Sequence, residues 1–313
     1  MLPKTFKNKT VAIFGLGIEG IDLLNYLYNE GAKIKLFDQE SNDNILKIIE
    51  QFEKNQIEVH FGNIPENSIK EVEYAFVSQG IPLKSPQLVK INKKNIQVES
   101  MTSLFFNRCK APITGITGTS GKTTTTALVQ SILEQDNNEY VIGGNIGIGM
   151  LGLLSNIKSN TKVVIELSHT QLQLITSSPN ISCLTNITPN HLDQFSWKEY
   201  IELKEKITIN QSSEEYFVVN YDDPICRQVA KKSKAKLVYF SMNKELEDGV
   251  YLNNDNYLIS SIGDEKKQIL HKRELNIRGE HNISNALAAI AITRLLGIDP
   301  KDCKSGIMNF KGV

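Results

Sequence analysis

The sequence has no excess of either charge, since 35 lysine and arginine residues balance 35 aspartate and glutamate residues. A neutral chain has no overall field that attracts nucleic acid or an anionic membrane, so an anionic ligand needs a local site. The four cysteines lie far apart and form no Cys-x-x-Cys pair, which argues against a disulfide framework or a zinc site. The N-terminus lacks the apolar core of a signal peptide, and the longest apolar run, 141–154, is too short and too rich in glycine to cross a bilayer. We therefore expect a soluble cytoplasmic protein that binds neither nucleic acid nor a membrane.

The length of the chain predicts more than one domain, because 313 residues exceed the usual size of a single core. Patterns typical of buried strands alternate with helical patterns, which indicates an α/β fold with mostly parallel sheets. We predict a Rossmann-like parallel-sheet domain over residues 1–101, followed by a P-loop-type ATP-binding α/β domain over residues 102–313. Within the second domain, 249–252 and 257–261 are predicted to form a small antiparallel hairpin.

The most informative stretch is 111–126, where an apolar strand runs into Thr117-Gly-Thr-Ser-Gly-Lys-Thr123 and then into a helical pattern. In a phosphate-binding loop, backbone amides face the anion, a lysine meets the terminal phosphates and a hydroxyl reaches magnesium. The usual spacing requires glycine at position 116, where this chain has Ile116. We expect Gly118 and Gly121 to replace it. The alternative is a glycine-rich turn with a merely solvated Lys122.

Two further strands end in polar clusters, one beginning at Glu166 and the other containing His191. Because ligands gather at the carboxyl ends of parallel strands, both clusters should lie on the same sheet edge as the glycine-rich loop. A carboxylate and an imidazole beside the hydroxyl of Thr123 suit a magnesium ion that bridges nucleotide phosphates. The alternative for His191 is a purely structural role.

The N-terminal region carries a second glycine pattern, Gly15-x-Gly17-x-x-Gly20, between two strands, and Asp38 closes the second strand. Such a turn binds a dinucleotide, binds another diphosphate, or only packs a helix on a strand. A nicotinamide-dependent oxidoreductase is therefore one possible interpretation, although it leaves the Lys122 loop unexplained. Glu19 occupies a position where a phosphate would approach.

Two polar stretches later in the chain have open interpretations. In the glycine-rich run 141–149, either the backbone approaches a ligand with Asn145 as its polar contact, or the glycines only make a turn. Asn282 and Asn285 open the strongest helical pattern of the chain, where they either hold a nucleotide or cap the helix.

Taken together, six motifs in order along the chain resemble those of the Mur ligases, and most of all those of the type that adds D-glutamate. They are Thr117-Gly-Thr-Ser-Gly-Lys-Thr123, Gly143-Gly-Asn-Ile-Gly147, Glu166-Leu-Ser168, Asn186-Ile-Thr-x-Asn-His-Leu-Asp193, Asn220-x-Asp-Asp223 and Gly279-x-His-Asn-x-x-Asn-Ala-Leu287. The resemblance covers essentially the whole chain.

The resemblance implies an ATP-dependent carbon–nitrogen ligase of peptidoglycan precursor synthesis, and thus of cell wall biogenesis, cell shape and cell division. ATP would phosphorylate the carboxylate of UDP-N-acetylmuramoyl-L-alanine, and the amine of D-glutamate would attack the acyl phosphate. Lys122 would hold the terminal phosphates, Thr123 and Glu166 one magnesium ion, and His191 a second. Lys204 lies where the family carries a carbamylated lysine, which would also ligate magnesium; the alternative is a solvated helical lysine.

The remaining site residues are assigned by the same resemblance. ATP would contact Gly118, Thr119, Ser120, Gly121 and Thr124 of the loop, with Asn282 and Asn285 beside the adenine. The UDP part of the substrate would lie on Gly15, Gly17 and Gly20, with Asp38 and the Gly80 loop at the uridine. Asn145, Ser168 and Gln171 would line the rest of the substrate.

The chain departs from the family pattern at several positions. His169-Thr170 replaces the usual Ser-Phe, Gln79 replaces a proline before Gly80, and Glu19 crowds the diphosphate turn. Family members also continue into a third domain, which supplies an arginine, further ATP contacts and the D-glutamate site. We therefore expect a monomeric chain without that C-terminal ligase domain, either because the sequence is shortened or because another chain supplies the domain. The alternative is a non-catalytic module that binds ATP or a UDP-sugar.

Overall fold

A computed structural model describes residues 2–41, 43–53, 55–83, 85–92, 96–144, 149–263 and 266–313. The chain divides into two units, of which the first comprises residues 1–108 and 147–155 and the second residues 109–146 and 156–313. The α/β fold class expected from the sequence is confirmed. The assignment of functional domains to either side of residue 101 stays a prediction. Among the described residues, no helix is both long enough and apolar enough to cross a membrane.

The first unit is built on a five-stranded, fully parallel sheet with the strand order β3-β2-β1-β4-β5. Its strands are β1 (Thr10–Phe14), β2 (Lys33–Asp38), β3 (Ile57–Phe61), β4 (Tyr74–Val77) and β5 (Gln97–Glu99). Its helices are α1 (Ile18–Asn29), α2 (Asp43–Ile49), α3 (Pro86–Asn92) and α4 (Met101–Arg108). Strand order changes direction at β1, so the turn after β1 lies at the point where ligands bind in open α/β sheets.

A short segment from later in the chain also belongs to the first unit. This segment contains most of a 3₁₀ turn, Leu151–Asn156. The first two amide groups of the turn donate to the carboxylate of Asp22 in α1, that of Leu151 at 2.7 Å and that of Gly152 at 3.2 Å. A Cβ atom at Gly149 would lie only 2.4 Å from the carboxyl carbon of Asp22. Glycine at position 149 therefore allows the close approach.

The second unit contains a nine-stranded sheet with the order β14-β13-β12-β11-β10-β9-β6-β8-β7. Its strands are β6 (Ile113–Thr117), β7 (Tyr140–Gly144), β8 (Lys162–Glu166), β9 (Ile181–Leu184), β10 (Tyr216–Asn220), β11 (Lys236–Ser241), β12 (Gly249–Leu252), β13 (Tyr257–Ser261) and β14 (Lys267–His271). All pairings from β7 to β12 are parallel, and the last two are antiparallel. The polar clusters that follow β6, β8 and β9 therefore share one sheet edge.

The helices of the second unit are α5 (Lys122–Leu133), α6 (His169–Leu172), α7 (Trp197–Glu205), α8 (Pro224–Ala230), α9 (Glu280–Leu295) and α10 (Pro300–Asn309). Helix α9 is the centre of the core, since every residue from Ala286 to Ile292 is fully buried. It packs against α5, α10 and the strands β9 to β13. This packing fixes α5, and with it the loop between β6 and α5.

The antiparallel hairpin predicted over 249–252 and 257–261 is confirmed by the pairing of β12 with β13, and β14 extends it to three strands. The short, half-polar run Lys267–His271 gave no strong strand signal. The glycine-rich run after position 140 is not simply a turn, because Tyr140–Gly144 forms strand β7. Gly144 has φ 103°, and a Cβ there would lie 2.1 Å from the carbonyl oxygen of Glu166. Glycine thus allows β7 to approach the end of β8.

Candidate functional site

The loop between β6 and α5 is held against the chain that follows β9. The amides of Thr119 and Ser120 donate to the backbone and side-chain oxygens of Asn186, each at 2.9 Å. The hydroxyl of Thr185 donates to the carbonyl oxygen of Ser120 at 2.7 Å. The loop is therefore fixed at the sheet edge by its own hydrogen bonds.

The two glycines of this loop are needed by the packing of the protein itself. A Cβ at Gly118 would lie 1.9 Å from the hydroxyl oxygen of Thr185. Gly121 has φ 80°, and a Cβ there would lie 2.3 Å from Oδ1 of Asn285. Gly121 is also the N-cap residue of α5, so the helix begins at Lys122 with its amide groups at the loop. Sequence reasoning assigned these glycines to ligand approach and missed the internal contacts.

Lys122 is not merely solvated. Its Nζ donates to the carbonyl oxygens of Thr119 at 2.8 Å and Gly118 at 3.1 Å. Burial lowers the pKa of Lys122, while the negative charge of Glu166 acts in the opposite direction. The lysine therefore lies within the electrostatic range of the glutamate.

Glu166 ends strand β8 and is only 1% exposed. Thr123 and Thr124 lie in the first turn of α5, where Thr123 is exposed and Thr124 is half-buried. Within the described part of the chain, no group of three or more His, Cys, Asp or Glu side chains could hold a metal ion.

Lys204 is a buried lysine, and the interpretation of it as a solvated helical side chain is wrong. It is 1% exposed, whereas the side chain of Lys198 on the same helix is 87% exposed. Its Nζ donates to the hydroxyl of Thr117 at 3.1 Å and lies 5.5 Å from the ring centroid of Tyr200. Burial and the charge of Lys122 lower the pKa of Lys204 to about 7, against a smaller opposing effect of Glu166.

His191 lies beside a second imidazole that sequence reasoning noted only as a departure. The rings of His169 and His191 stack with centroids 4.0 Å apart, and His191 has φ 54°. Burial, followed by the positive charges of His191, Lys204 and Lys122, lowers the pKa of His169 to about 4. The ring centroids of His169 and His191 lie 6.3 and 6.2 Å from that of Tyr200, and the ammonium group of Lys204 lies 5.5 Å from the same ring. The structure therefore brings His191 and Lys204 to one neighbourhood, within electrostatic range of Lys122 and Glu166.

Tyr200 is a site residue that sequence reasoning missed. Its hydroxyl lies 3.2 Å from the hydroxyl of Thr119 in the glycine-rich loop, and its ring faces the Lys204 ammonium group. The residue is 1% exposed. Its spacing of four positions from Lys204 on one helix was a signal that could have identified it.

Ser168 and Gln171 form a capping box at the start of α6. The Ser168 hydroxyl accepts the amide hydrogen of Gln171, and the Gln171 side chain accepts that of Ser168. Both side chains are buried. The structure therefore gives them a local structural role, and contact with a substrate stays a prediction. Asn145 lies outside the described residues.

Asn282 and Asn285 are not the N-cap residues of α9, because that position is Gly279. Asn282 donates to the carbonyl oxygen of Arg278 at 2.7 Å, and Asn285 donates to Asn282 at 3.1 Å. Asn285 is 6% exposed and lies against Gly121. The start of α9 therefore lies next to the glycine-rich loop.

In the first unit, the glycine turn is stabilised by Asp38. The Asp38 carboxylate accepts the amide hydrogen of Leu16 at 2.6 Å. Gly15 has φ 85°, and a Cβ at Gly20 would lie 1.9 Å from the carbonyl oxygen of Gly15, so glycine is required at position 20. Gly17 precedes α1 as its N-cap residue. Asp38 therefore shapes the turn, which sequence reasoning did not anticipate.

The Gly80 loop follows β4 and contacts the same turn. The Ser78 hydroxyl donates to the carbonyl oxygen of Gly15 at 2.8 Å. Glu19, placed by the sequence where a phosphate would approach, is 7% exposed and accepts the amide hydrogen of Gln79 at 3.0 Å. Gly15, Gly17, Gly20, Asp38 and Gly80 thus come together at one edge of the first sheet.

Comparison with known families gives two matches that cover most of the chain. Residues 9–100 match the Mur ligase MurD-like N-terminal domain, and residues 116–293 match the Mur ligase middle domain. A UDP-N-acetylmuramoylalanine--D-glutamate ligase of Alkaliphilus metalliredigens is 37% identical over 313 residues, which cover 98% of this chain and 68% of the relative. The enzyme of the same name from Acetivibrio thermocellus is 37% identical over 289 residues, 92% of this chain and 62% of the relative. The chain thus spans about two thirds of the length of these relatives.

Solved structures support the fold. A UDP-N-acetylmuramate:L-alanyl-gamma-D-glutamyl-meso-diaminopimelate ligase from Neisseria meningitides aligns with a TM-score of 0.65 and 18% identity, covering 98% of this chain and 99% of that one. A UDP-N-acetylmuramate-alanine ligase from Thermotoga maritima aligns with a TM-score of 0.56 and 20% identity, covering 97% of this chain and 69% of that one.

Proposed function

The chain belongs to the Mur ligase family, and from that premise we propose that it carries out the ATP-dependent addition of D-glutamate to UDP-N-acetylmuramoyl-L-alanine. The observation that carries the proposal is the gathering of Lys122, Glu166, His191 and Lys204 beside one glycine-rich loop. Since the chain covers only 62% and 68% of two relatives of this name, the proposal concerns the part of the reaction for which these two units supply residues.

The proposed reaction explains why a phosphate loop is needed for amide formation. A carboxylate resists attack by an amine, because its oxygen is a poor leaving group. Transfer of the γ-phosphate of ATP to that oxygen gives an acyl phosphate and ADP. The amine then forms the amide bond, and inorganic phosphate leaves. Positioning and charge neutralisation are what a protein contributes to such a transfer.

We assign ATP to the second unit. The amides of Gly118 and Gly121 and the N-terminus of α5 would face the phosphates, with Thr123 and Thr124 on the first helical turn. The amides of Thr119 and Ser120 would exchange their bonds to Asn186 for bonds to the phosphates. Lys122 would exchange its bonds to the loop carbonyls for contacts to the terminal phosphates. The position of Asn285 against Gly121 supports a role for the start of α9, with Asn282, beside the adenine.

The donor atoms at this edge fit magnesium. The hydroxyl of Thr123 and the carboxylate of Glu166 are hard oxygen donors, and the lack of a three-residue metal cluster among the described residues suits an ion that takes its remaining ligands from phosphates and water. His191 would contribute to a second ion. When bound, magnesium neutralises phosphate charge during transfer.

Lys204 fits a carbamylated lysine better than a structural cation. Its pKa of about 7 leaves a large neutral fraction at neutral pH, and only the neutral amine captures carbon dioxide. Addition of carbon dioxide to the neutral amine forms an N–C bond, releases one proton and leaves an anionic carbamate; starting from the ammonium form, two protons are released. The carbamate would be attracted by the two cations beside it, Lys122 and the metal ion, whereas an ammonium group at Lys204 would be repelled by both.

The UDP part of the substrate is assigned to the first unit. The glycine turn would hold the diphosphate, and Asp38 with the Gly80 loop would lie at the uridine. Asn145, Ser168 and Gln171 remain the proposed contacts to the rest of the substrate.

The test is phosphate release from the chain supplied with ATP, magnesium, UDP-N-acetylmuramoyl-L-alanine and D-glutamate. We expect release that depends on the UDP substrate and is abolished in Lys122→Met, with Lys198→Met as the control on an exposed lysine. If the third domain is required, ATP still binds and phosphate is released only after a C-terminal domain from a relative is added. A chain that binds neither ATP nor the UDP substrate contradicts the proposal.

The second candidate is a module that binds ATP or a UDP-sugar without forming an amide. Binding without phosphate release, both alone and with an added third domain, would select it.

A further inference from the structure

We propose that Glu19 is a positioning residue of the first unit, which holds the Gly80 loop on the glycine turn through its hydrogen bond to Gln79. The inference deepens the proposed function, since both segments belong to the proposed UDP site. Glu19 and Gln79, which both depart from the family pattern, are then the acceptor and the donor of a single hydrogen bond.

The contact joins residues that are 60 positions apart in the sequence. Oε2 of Glu19 lies 3.0 Å from the backbone nitrogen of Gln79, and Glu19 is only 7% exposed. One residue earlier, the Ser78 hydroxyl donates to the carbonyl oxygen of Gly15 at 2.8 Å. In both hydrogen bonds the segment after β4 donates and the segment after β1 accepts.

The glycine turn and the loop also pack directly against each other. A Cβ at Gly15 would lie 3.1 Å from Cδ1 of Ile81 and 3.2 Å from Cβ of Ser78. A Cβ at Gly20 would meet the Ser78 hydroxyl oxygen at 3.1 Å. Because the glycine turn and the Gly80 loop are so closely packed, the two hydrogen bonds leave the loop little freedom to move relative to the turn.

A carboxylate at this position needs donors, because a buried negative charge is costly and an anionic ligand beside it adds repulsion. Glu19 lies in the first turn of α1, where the helix dipole favours a negative charge. The Gln79 amide supplies a direct donor. A proline at position 79 has no amide hydrogen and would remove this donor. Glu19 therefore requires a residue other than proline at position 79.

The experiment is a double-mutant cycle with UDP as the ligand, measured by isothermal titration calorimetry on the full chain. Gln79→Pro removes the donor, and Glu19→Ala removes the acceptor. A hydrogen bond to a buried charged group contributes substantially to stability, so its loss should leave the Gly80 loop poorly positioned for UDP. We therefore expect each single variant to bind UDP about tenfold more weakly. The double variant should be no weaker than either single variant, since both remove the same contact.

Two control variants separate the contact from general damage. Gln79→Ala keeps the backbone donor, so its UDP affinity should stay within about twofold of the wild type. Glu19→Gln keeps an acceptor of the same size without the charge, so it should bind UDP at least as tightly as the wild type, because the repulsion is removed. Additive losses in the double variant, or an unchanged affinity in Glu19→Ala, would overturn the inference.

A second measurement judges the contact independently of the proposed UDP site. Hydrogen exchange at the Gln79 amide should be at least about tenfold faster in Glu19→Ala than in the wild type and unchanged in Glu19→Gln. Unchanged exchange in Glu19→Ala refutes the positioning role. A wild-type chain that fails to bind UDP, but shows the expected exchange, refutes the UDP site and leaves the contact intact.

Discussion

Replacing Lys204 by methionine should stabilise the protein at acidic pH and have little effect at alkaline pH. The side chain is 1% exposed, and its pKa is lowered from 10.5 to about 7, chiefly by burial. Below about pH 7 the lysine is protonated in both the folded and the unfolded state, so the folded state bears the full cost of a buried cation. Between pH 7 and 10.5 only the unfolded state retains the proton, and the cost falls as the pH rises.

The pKa difference sets the magnitude. A change from 10.5 to about 7 corresponds to a cost on the order of 5 kcal/mol below pH 7. The substitution also removes the donor of the bond to Thr117, whose hydroxyl keeps its own bond to the Leu167 carbonyl oxygen at 2.7 Å. Loss of this hydrogen bond reduces the expected gain in the free energy of unfolding by about 1 kcal/mol. We expect a net gain of about 4 kcal/mol at pH 6 and of about 1 kcal/mol or less at pH 9.5.

The assay is urea unfolding at both pH values, followed by fluorescence of the single tryptophan. Trp197 begins the helix that carries Lys204, so its signal reports on the second unit. Lys198→Met is the matched control, because its lysine is exposed on the same helix, and it should change stability by less than about 0.5 kcal/mol. Equal gains at pH 6 and 9.5 for Lys204→Met, or no gain at either, would refute the burial argument.

Three further predictions follow from single contacts. Gly121→Ala should destabilise the chain by about 2 kcal/mol more than Gly297→Ala in urea unfolding, because both glycines have a φ near 80° but only the Cβ at 121 meets another atom, at 2.3 Å. Asp22→Ala should make hydrogen exchange at the Leu151 amide about tenfold faster or more, while Asp22→Asn, which keeps one acceptor, should have a smaller effect. His169 should stay neutral down to about pH 5 and titrate near pH 4 in a carbon-detected NMR titration of its ring; a midpoint near 6.5 would contradict the effect of burial and its cationic neighbours.

The parts of the fold that depend on local pattern could be predicted from the sequence. Apolar runs such as Thr10–Phe14 and Ile113–Thr117 are strands because their residues are buried on both sides of a parallel sheet. The strand Lys267–His271 could not be predicted, because an edge strand with an exposed face has little apolar signal. The strand Tyr140–Gly144 was hidden by its two terminal glycines, and the need for glycine at position 144 is visible only when the backbone of Glu166 is beside it.

For the candidate site, residue types and spacing predicted which side chains meet, but not their state. Nothing in the sequence distinguishes Lys204 from Lys198, since the difference is burial against Thr117 and Tyr200. The stacking of His169 on His191 likewise depends on how two loops from different strands meet. Asp38 was predicted to touch a ligand, and the structure adds a bond to the turn that the sequence could not reveal.

A crystal structure of the chain with magnesium and a non-hydrolysable ATP analogue tests the central claim most directly. The account predicts the triphosphate along the loop from Gly118 to Thr123, with Lys122 at the terminal phosphates and a magnesium ion between Thr123 and Glu166. A nucleotide bound elsewhere on the chain, or a triphosphate out of reach of both Lys122 and Glu166, would contradict it.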